Sequence, residues 1–387
     1  MPRAQWAGVM LVAYLAFQAH PVRSAHVSIP SGPHATFTIP RGNVAWSGPV
    51  LDDRHVVYGA AVPRFHRPVC VSCGRPPFTK FDVRMYIRDY QRRSTSITVS
   101  EPRVLFDGPR GAQLVVYALV AGWLVYDSER PYDKWQLYTR NVDTGRAILL
   151  DSPKMEGLPS RFLGANTDGR TVVWQSWTRL RGRTMSVIRS FTLATGRRGL
   201  LLAGGSGIDY FDGDPEIAGN HLIFVREPGS NPGSQIFVKN LATGRVRALT
   251  PPGQSNFAPV ISGNIVAWEH GSLTPGHAHG IVVANLATGR RVAVKRSSSQ
   301  LPRVVGGRYV VFAPDYPTPY PKGNVQVYDA LTGRRRIIAV GPDAAGFVPN
   351  WTVEAGGDAA LVEMDKPCSG SNGVCPTHFR LVPVGLN

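Results

Sequence analysis

The sequence has little that would build long helices. Its 387 residues include 41 Gly and 32 Pro, and the apolar stretches between them are short and rich in Val, Ile, Tyr, Phe and Trp. Gly and Pro are unfavourable inside helices, whereas β-branched and aromatic residues favour strands. The composition therefore argues against a mainly helical fold and predicts many short strands joined by turns.

Long apolar runs are scarce as well. An apolar run at the N-terminus, residues 7–17, follows a basic residue and is too short to cross a bilayer as a helix. Val22 and Ser24 then place small residues three and one positions before a cut after Ser24, which is typical of a secretory signal peptide. We predict a signal peptide over residues 1–24 and one secreted or extracytoplasmic domain over residues 27–387, with a retained anchor as the alternative.

Acidic residues are few compared with basic ones. The chain has 26 Asp and Glu against 43 Lys and Arg, a formal net charge of +17. Such an excess attracts anionic partners in a salt-dependent way. Anionic cell-wall polymer, a membrane surface or another envelope protein are therefore the candidate partners, and nucleic acid is not expected for an exported monomer. A general arginine preference in the source proteome explains the charge equally well.

Recognisable catalytic motifs are missing. The sequence contains no G-x-S-x-G nucleophile elbow, no H-E-x-x-H zinc motif and no Walker loop. We therefore assign no catalytic residue. We expect no cofactor except calcium at one acidic cluster.

What the sequence does contain is a repeat. A phrase ending in T-G-R occurs five times, and successive glycines are 51, 48, 45 and 44 residues apart: Gly145, Gly196, Gly244, Gly289 and Gly333. A period of about 45–50 residues is typical of β-propeller blades. In most copies Asn or Asp opens a tight turn with its side chain and the Gly takes the left-handed conformation. The phrase thus predicts the hairpin between the third and fourth strands of a blade.

A second marker repeats at the same period. It is an apolar strand, usually preceded by Gly and ending near an aromatic residue, and its seven copies start after Asp53, Gly122, Gly169, Gly219, Gly263, Gly307 and Gly357. Near-continuous apolar runs indicate strands buried on both faces, as the second strand of a blade is. We therefore predict an all-β fold, a single β-propeller of seven four-stranded blades.

The two ends of the chain complete the predicted ring. In the first blade, Val83–Tyr90 and Ser94–Val99 form the predicted outer hairpin, with a degraded turn at Gln91–Arg93. The last blade has Phe379–Val384 as its third strand and lacks a fourth. Ala35–Ile39 alternates apolar and polar residues and is predicted to supply that strand, which closes the ring and protects its edges.

The repeat also carries a family resemblance. The pattern G-N-x-[IV]-V-[AF]-W, a loop and then [IV]-x-V-x-N-L-x-T-G-R resembles the repeat of TolB-type and dipeptidyl-peptidase-type propellers over about residues 110–340. The S-P-D-G turn of many TolB-type repeats is absent, and Thr167-Asp168-Gly169 is its nearest relative. The resemblance implies a propeller that serves as a binding platform. Since no peptidase domain is recognised after the repeats, hydrolase activity is not expected from it.

The four cysteines fall in two loops between second and third strands, one in the first predicted blade and one in the last: Cys70, Cys73, Cys368 and Cys375. Ring closure makes these two blades neighbours. An even cysteine count in an exported chain favours disulfides, paired within each loop or across the two blades. A four-cysteine zinc site is the alternative.

Two further clusters could bind metal. The densest acidic cluster, which we place in a link between blades, is a candidate calcium site: Asp209, Asp212 and Asp214, followed by Glu216. A solvated polar turn is the alternative. A second cluster could bind zinc or copper, or could simply form a polar loop: Glu269, His270, His277 and His279.

The T-G-R hairpins also repeat an arginine. Blades are related by rotation about one axis, so these residues are predicted to form a ring on one face: Arg146, Arg197, Arg245, Arg290 and Arg334. They either keep the hairpins soluble or bind an anionic polymer or membrane. The sequence thus favours a non-catalytic binding or scaffold propeller at the cell envelope or outside the cell. A lyase or glycan hydrolase with its site at the top of the central channel is the alternative.

Overall fold

The computed structural model describes residues 34–38, 44–63, 81–93, 96–108, 113–130, 134–152, 164–180, 183–206, 210–228, 233–271, 280–295, 299–314, 324–339, 348–365 and 377–385. These residues form strands, turns and loops. They include no helix, and hence none that could span a membrane. The predicted signal peptide, residues 1–24, lies outside the described residues.

The strands form seven sheets of the expected propeller, so the predicted fold class is confirmed. The first strand of each blade lines the central channel, and several of these strands carry an irregularity beside a proline. Proline cannot donate to a neighbouring strand and is therefore tolerated at such an inner edge. The first strands of blades 1 to 7 are β2 (Val44–Leu51), β7 (Gln113–Val120), β11 (Ala165–Thr167), β15 (Tyr210–Ala218), β19 (Ser255–Ser262), β23 (Ser299–Val305) and β27 (Val348–Gly356).

The second strands are the seven that the apolar marker predicts. Their successive side chains face opposite neighbours: Val172 packs towards blade 2, and Val173 packs towards blade 4. Since both faces are covered, the whole strand reads as apolar. The second strands are β3 (His55–Pro63), β8 (Trp123–Arg130), β12 (Thr171–Leu180), β16 (His221–Pro228), β20 (Ile265–Gly271), β24 (Tyr309–Pro314) and β28 (Ala359–Asp365).

The third strands pair with the second ones throughout and carry the outer strand of each blade. The third strands are β4 (Phe81–Arg92), β9 (Lys134–Asn141), β13 (Arg183–Thr192), β17 (Gln235–Asn240), β21 (Gly280–Asn285), β25 (Val325–Asp329) and β29 (Thr377–Pro383). The outer strands of blades 2 to 6 are β10 (Ala147–Asp151), β14 (Arg198–Ser206), β18 (Val246–Ala248), β22 (Arg291–Lys295) and β26 (Arg335–Ala339).

Blade 1 departs from the predicted outer hairpin. β4 continues through Arg92, so Gln91–Arg93 is not the turn. Beyond the predicted turn, the backbone N–H of Arg93 donates to the carbonyl of Ser96 at 2.8 Å. The outer position is then shared by two short strands, β5 (Ile97–Val99) and β6 (Arg103–Asp107), which both pair with β4. The T-G-R phrase is absent from this blade, and without it the sequence did not fix the turn.

The ring closes as predicted. The first strand of the chain, β1 (Ala35–Thr38), pairs antiparallel with β29, so that Phe37 lies opposite Phe379. β1 is therefore the outer strand of blade 7, which otherwise has only three strands. The closure satisfies the backbone groups that an open third strand would expose.

The apolar core lies between the blades. The buried apolar residues divide into seven clusters, one at each junction between neighbouring blades. Two of these clusters contain a tryptophan that is only 1% exposed: Trp174 between blades 2 and 3, and Trp268 between blades 4 and 5. Each blade is thus stabilised mainly by its two neighbours, as expected for a repeat architecture.

Candidate functional site

The T-G-R hairpins have the turn that the repeat predicts. In blade 4, Asn240 Oδ1 accepts hydrogen bonds from the backbone N–H groups of Ala242 and Thr243, both at 3.0 Å. Gly244 has a φ of 73°, and its N–H donates to the carbonyl of Asn240 at 2.8 Å. The side chain thus starts the turn, and the glycine closes it.

The hairpins share one face of the ring with the turns between first and second strands. In each of blades 2 to 6, a backbone N–H of the hairpin donates to a carbonyl of that turn; in blade 4, Leu241 donates to Asn220 at 2.8 Å. We call this side of the ring the hairpin face.

Five arginines stand on the hairpin face of blades 2 to 6, and we call them the arginine crescent: Arg146, Arg197, Arg245, Arg290 and Arg334. All five are exposed. Among the described residues none of them forms an ion pair, whereas other arginines of the chain do so. The equivalent positions of blades 1 and 7 lack the phrase, so the arginines cover only part of the predicted ring.

The arginines that follow the crescent point elsewhere. Arg198 lies over the ring of Phe191 and donates to the carbonyls of Leu149 and Leu150 in blade 2. Arg291 lies 5.3 Å from the centroid of Trp268, and Arg335 lies 6.0 Å from that of Tyr328. These second arginines are exposed as well, but each lies against an aromatic ring of its own blade.

Carboxylates near the crescent are already engaged. Asp143 lies 3.2 Å from Arg54 and 3.4 Å from His55 of blade 1. Asp329 receives two hydrogen bonds from Arg308, at 3.1 Å and 2.6 Å, and these hold the pKa of Asp329 well below its usual range. The T-G-R phrases of blades 3, 4 and 5 contain no acidic residue at all. The crescent therefore presents positive charge that its own hairpins do not neutralise.

The central channel opens on the same face. A cavity of about 860 Å³ is lined by first strands and by the turns that follow them, from all seven blades. At one level of the channel, seven residues occupy the same register position, opposite the third residue of each second strand: Val50, Ala118, Asn166, Glu216, Val260, Arg303 and Glu354. We call these residues the channel tier.

Four members of the channel tier are polar, and they pair across blade junctions. Asn166 Nδ2 donates to Glu216 Oε2 at 2.8 Å, which links blades 3 and 4. Arg303 donates two hydrogen bonds to Glu354, at 2.8 Å and 2.7 Å, which link blades 6 and 7. Such a bidentate pair is geometrically specific and neutralises both charges.

The channel raises the pKa of its unpaired carboxyls. Removal from bulk water raises the pKa of Glu216 to about 8, although Arg303 and Asn166 oppose the shift, and Asp214 and Glu354 add to it. Desolvation also raises the pKa of Asp214, a neighbour of Glu216 in the same strand. A carboxyl group with a pKa near neutrality can give up or hold a proton when a charged ligand arrives.

The acidic cluster predicted to bind calcium lies in strand β15, not in a link between blades. Asp212 is fully buried and receives two hydrogen bonds from Arg226, at 2.7 Å and 2.9 Å. Asp214 forms no ion pair with the described residues, and Asp209 lies outside them. The described part of the chain holds no group of three or more His, Cys, Asp or Glu side chains arranged to bind a metal. Calcium binding stays a prediction.

The other predicted clusters fall mostly outside the described residues. All four cysteines, Cys70, Cys73, Cys368 and Cys375, lie outside the described residues, as do His277 and His279. His270 is described, and its Nδ1 lies 3.2 Å from Asn256 Oδ1. The disulfides and the histidine site therefore stay predictions.

The sequence analysis missed the channel tier, apart from Glu216. A signal was present in four first strands, where the tier residue directly follows a proline: Val50, Glu216, Val260 and Arg303. The proline marks the irregular inner strand, and the residue after it lines the channel. An alignment of these four positions would have predicted that Glu216 and Arg303 lie at the same level of the channel.

Solved structures of similar fold are numerous, although no protein-family model and no curated protein matches the chain. The propeller domain of the Trilobed protease from Pyrococcus furiosus has 10% identity and a TM-score of 0.56, and covers 85% of this chain and 91% of that one. Oligogalacturonate lyase from Vibrio parahaemolyticus has 11% identity and a TM-score of 0.53, and covers 91% and 97%.

TolB from Acinetobacter baumannii is 18% identical over 65% of this chain and 58% of its own length, with a TM-score of 0.44. The protease domain is described as having an open velcro topology, whereas here β1 completes blade 7. The fold implied by the resemblance to TolB-type and peptidase-type propellers is thereby confirmed: the chain is a seven-bladed β-propeller of this structural type.

Proposed function

We propose that this chain is an exported, non-catalytic binding propeller whose arginine crescent docks an anionic polysaccharide. The observation that carries the proposal is the placement of five exposed arginines on five consecutive blades of one face, without an ion-pair partner among the described residues. A polymer with regularly spaced carboxylates could pair several of these negative charges with several arginines of the crescent at once. Each exposed contact contributes up to about 1 kcal/mol, so several must act together.

A polymer is favoured over a membrane surface by the residues around the crescent. Binding in a lipid interface needs large apolar side chains that enter the acyl boundary. Of the large apolar side chains found exposed in the described residues, only Leu331 stands at a T-G-R turn, where other copies carry Ala or Asp. The hairpin face is thus basic and polar, and a hydrated polyanion suits it better.

The class of polymer is suggested by chemistry and by one similar structure. The lyase with the same fold acts, by its name, on oligogalacturonate, which is a chain of carboxylated sugars. That likeness extends to the fold alone, so oligogalacturonate enters as a probe of the right charge and shape. Export, which the N-terminal sequence predicts, would bring the chain into contact with such polymers.

The test compares two triple variants of equal charge. In one, Arg197, Arg290 and Arg334 of the crescent are changed to Gln. In the other, the same change is made at the neighbouring Arg198, Arg291 and Arg335, which are also exposed but lie against aromatic rings of their own blades. Affinity for oligogalacturonate is measured by calorimetry at low and high ionic strength. The crescent variant should lose about tenfold at low salt, since three exposed contacts are removed.

Three results would overturn the proposal. Equal losses in the two variants would mean that only net charge matters. Binding of anionic vesicles without binding of oligogalacturonate would mean that the crescent binds a membrane surface and not a polysaccharide. Absence of binding to oligogalacturonate at low salt would leave the crescent as a solubility device.

An enzyme is the second candidate, and one observation favours it. Glu216 lines a deep channel with a pKa of about 8, and a carboxylic acid that stays protonated near neutral pH can serve as a general acid. Formation of unsaturated or reducing ends from oligogalacturonate, abolished by Glu216→Gln, would support this reading. Intact oligogalacturonate after prolonged incubation would count against it.

A further inference from the structure

The channel differs in charge from the rest of the molecule. The chain as a whole carries a formal charge of +17. The cavity, in contrast, is lined by five carboxylates, two arginines and one histidine: Asp52, Asp53, Asp168, Glu216, Glu354, Arg170, Arg303 and His221. Desolvation and the charge of Arg247 lower the pKa of His221, which favours its neutral form. A cavity with low-dielectric walls focuses the field of its lining charges. The channel is therefore the place on this basic protein where a cation would be favoured.

Most of these carboxylates already have a cationic or backbone partner. Asp52 accepts from the backbone N–H of Gly122 at 2.7 Å and lies 3.2 Å from the His55 ring, and Asp168 accepts from the N–H groups of Arg170 and Thr171. Glu354 is held by the bidentate contact with Arg303. These groups stabilise turns and blade junctions and have little capacity left for a ligand.

Glu216 is different. It accepts one hydrogen bond, from Asn166, and among the described residues no Lys, Arg or His lies within ion-pair distance of it. Arg303, the cation on the same level of the channel, is neutralised by Glu354. The carboxylate of Glu216 therefore lacks a counter-ion in a partly desolvated position, where an ionised group without one is unfavourable.

The rest of the tier is apolar. Val260 lies between Glu216 and Arg303 in the order of the blades, and Val50 and Ala118 complete the ring beyond Glu354. A wall of aliphatic side chains beside one carboxylate suits a ligand with an aliphatic body and one cationic end. Ligand cavities commonly combine such an apolar lining with few polar groups that fix orientation.

We propose that the channel binds a primary aliphatic amine in its ammonium form, with Glu216 as the ionic partner and the amide oxygen of Asn166 as a further acceptor. The site is separate from the arginine crescent and takes a ligand of opposite charge. Its volume of about 860 Å³ accommodates a small molecule of this kind.

Binding of an ammonium group should change the protonation state of Glu216. Glu216 has a pKa of about 8 in the empty channel, so that it is largely protonated at pH 7. An ammonium group beside it favours the ionised form. Binding at pH 7 therefore releases a proton, and affinity rises as the pH approaches about 8, well below the ordinary pKa of an alkylamine near 10.4.

The experiment is calorimetric titration of the whole chain with n-pentylamine, a linear monoamine, in two buffers of different ionisation enthalpy. 1-Pentanol, its neutral analogue, is the ligand control. Glu216→Gln preserves shape and the hydrogen bond from Asn166, and Asp53→Asn at the channel rim removes the same charge. We expect Glu216→Gln to weaken binding about tenfold or more and to abolish proton release, while Asp53→Asn retains both.

Four outcomes would overturn the proposal: no binding of n-pentylamine, equal binding of 1-pentanol, equal losses in the two variants, or wild-type affinity that does not change between pH 6 and pH 8. The last measurement needs no variant and stays decisive if Glu216→Gln fails to fold. Because the crescent arginines are unchanged in these proteins, failure here leaves the polysaccharide proposal untouched.

Discussion

The junction between blades 7 and 1 and the junction between blades 3 and 4 are held together differently. Among the described residues, twelve buried apolar ones form the core between blades 7 and 1, five of them aromatic, and the ring of Phe37 lies 5.5 Å from that of Phe379. The described residues contribute five to the core between blades 3 and 4, one of them aromatic. Polar contacts cross the second junction, such as Asn166 to Glu216 and Ser186 to the carbonyl of Asp212.

Connectivity bears on the closing junction. Blades 7 and 1 meet through segments that are more than three hundred residues apart, and closing such a loop costs conformational entropy, so this junction depends on its apolar core. Connectivity does not explain the small core between blades 3 and 4, because the other junctions between consecutive blades hold nine to eleven buried apolar residues among those described. The small core goes instead with the polar residues that cross this junction and line the channel.

The largest effect is expected from the closing strand. Phe37→Ala removes a buried aromatic side chain that packs on Tyr58 and Phe379, and should lower the free energy of unfolding by about 3–5 kcal/mol. Urea unfolding followed by circular dichroism measures it. Thr36→Ala, exposed on the same strand, should cost under about 0.5 kcal/mol. Similar small losses in both variants would show that β1 does not hold the ring.

Two equivalent glycines compare the junctions directly. Gly357 and Gly219 follow the first strands of blades 7 and 4 with φ of 57° and 55°, so alanine is strained at both. A Cβ at Gly357 would lie 2.6 Å from the Cα of Asp53 in blade 1, whereas nothing lies within 4 Å of one at Gly219.

Gly219→Ala should therefore cost about 1–2 kcal/mol, from the left-handed backbone alone. Gly357→Ala should cost about 2 kcal/mol more, because the backbone of blade 1 must move away. Thermal or urea unfolding of the pair measures the difference. Equal losses would mean that blades 7 and 1 approach less closely on the hairpin face.

The polar junction should respond to pH. The pKa of Glu216 is raised from 4.5 to about 8 in the folded protein, so folded chains hold a proton that unfolded chains lose between these values. Stability from this group is complete below about pH 4.5 and is lost as the pH rises through 8. Glu216→Gln removes the penalty and should stabilise the empty protein by about 1–2 kcal/mol at pH 8.

The same variant should have no effect near pH 4. Asp53→Asn is the control for loss of one negative charge and should show no such pH dependence. Urea unfolding at several pH values measures both. A Gln variant that is less stable than the wild type at pH 8 would contradict the assigned environment of Glu216.

The smallest effect is expected at the other flank of blade 1. His55 is 4% exposed, and its Nδ1 lies 3.2 Å from Asp52, while its Nε2 lies 3.4 Å from Asp143 and 3.7 Å from Asp89. The hydrogen bond with Asp52 raises the pKa of His55 above 6.5, against the opposing effects of burial and Arg54.

This contribution is complete below pH 6.5 and is lost as the pH rises through the folded pKa. His55→Gln should remove it, at a cost of about 1 kcal/mol or less at pH 6 and less still at high pH. The ring proton resonances of His55, followed by NMR during a pH titration, check the direction of the shift. A midpoint below 6.5 would contradict it.

The repeat in the sequence predicted the fold well because its signals are local. The glycine of each T-G-R phrase and the Asn or Asp that opens the turn specify a hairpin through bonds within six residues, as in Asn240 and Gly244. Where the phrase is missing, in blade 1, the predicted turn at Gln91–Arg93 was wrong. There the outer position is shared by two short strands that both pair with β4, and no repeated motif marks where one ends and the other begins.

The candidate site also contains residues that the repeat predicts and residues whose contacts it does not predict. The crescent arginines follow directly from the repeat, because rotation about one axis places equivalent residues on one face. Arg303 and Glu354 are 51 residues apart, and their pairing depends on how two first strands line up around the channel. The acidic cluster around Asp212 looked like a loop, yet Arg226 of the next strand pairs with that buried carboxylate and keeps it within a sheet.

The sequence by itself determined the number of blades, the order of their strands and the closure through Ala35–Thr38, since periodic turns and alternating apolar residues act over short distances. Only the tertiary structure decided which polar groups share the channel and which remain without a counter-ion. That outcome depends on register between blades and on desolvation inside the ring. Glu216 is ordinary in the sequence and becomes unusual only because six other first strands surround it.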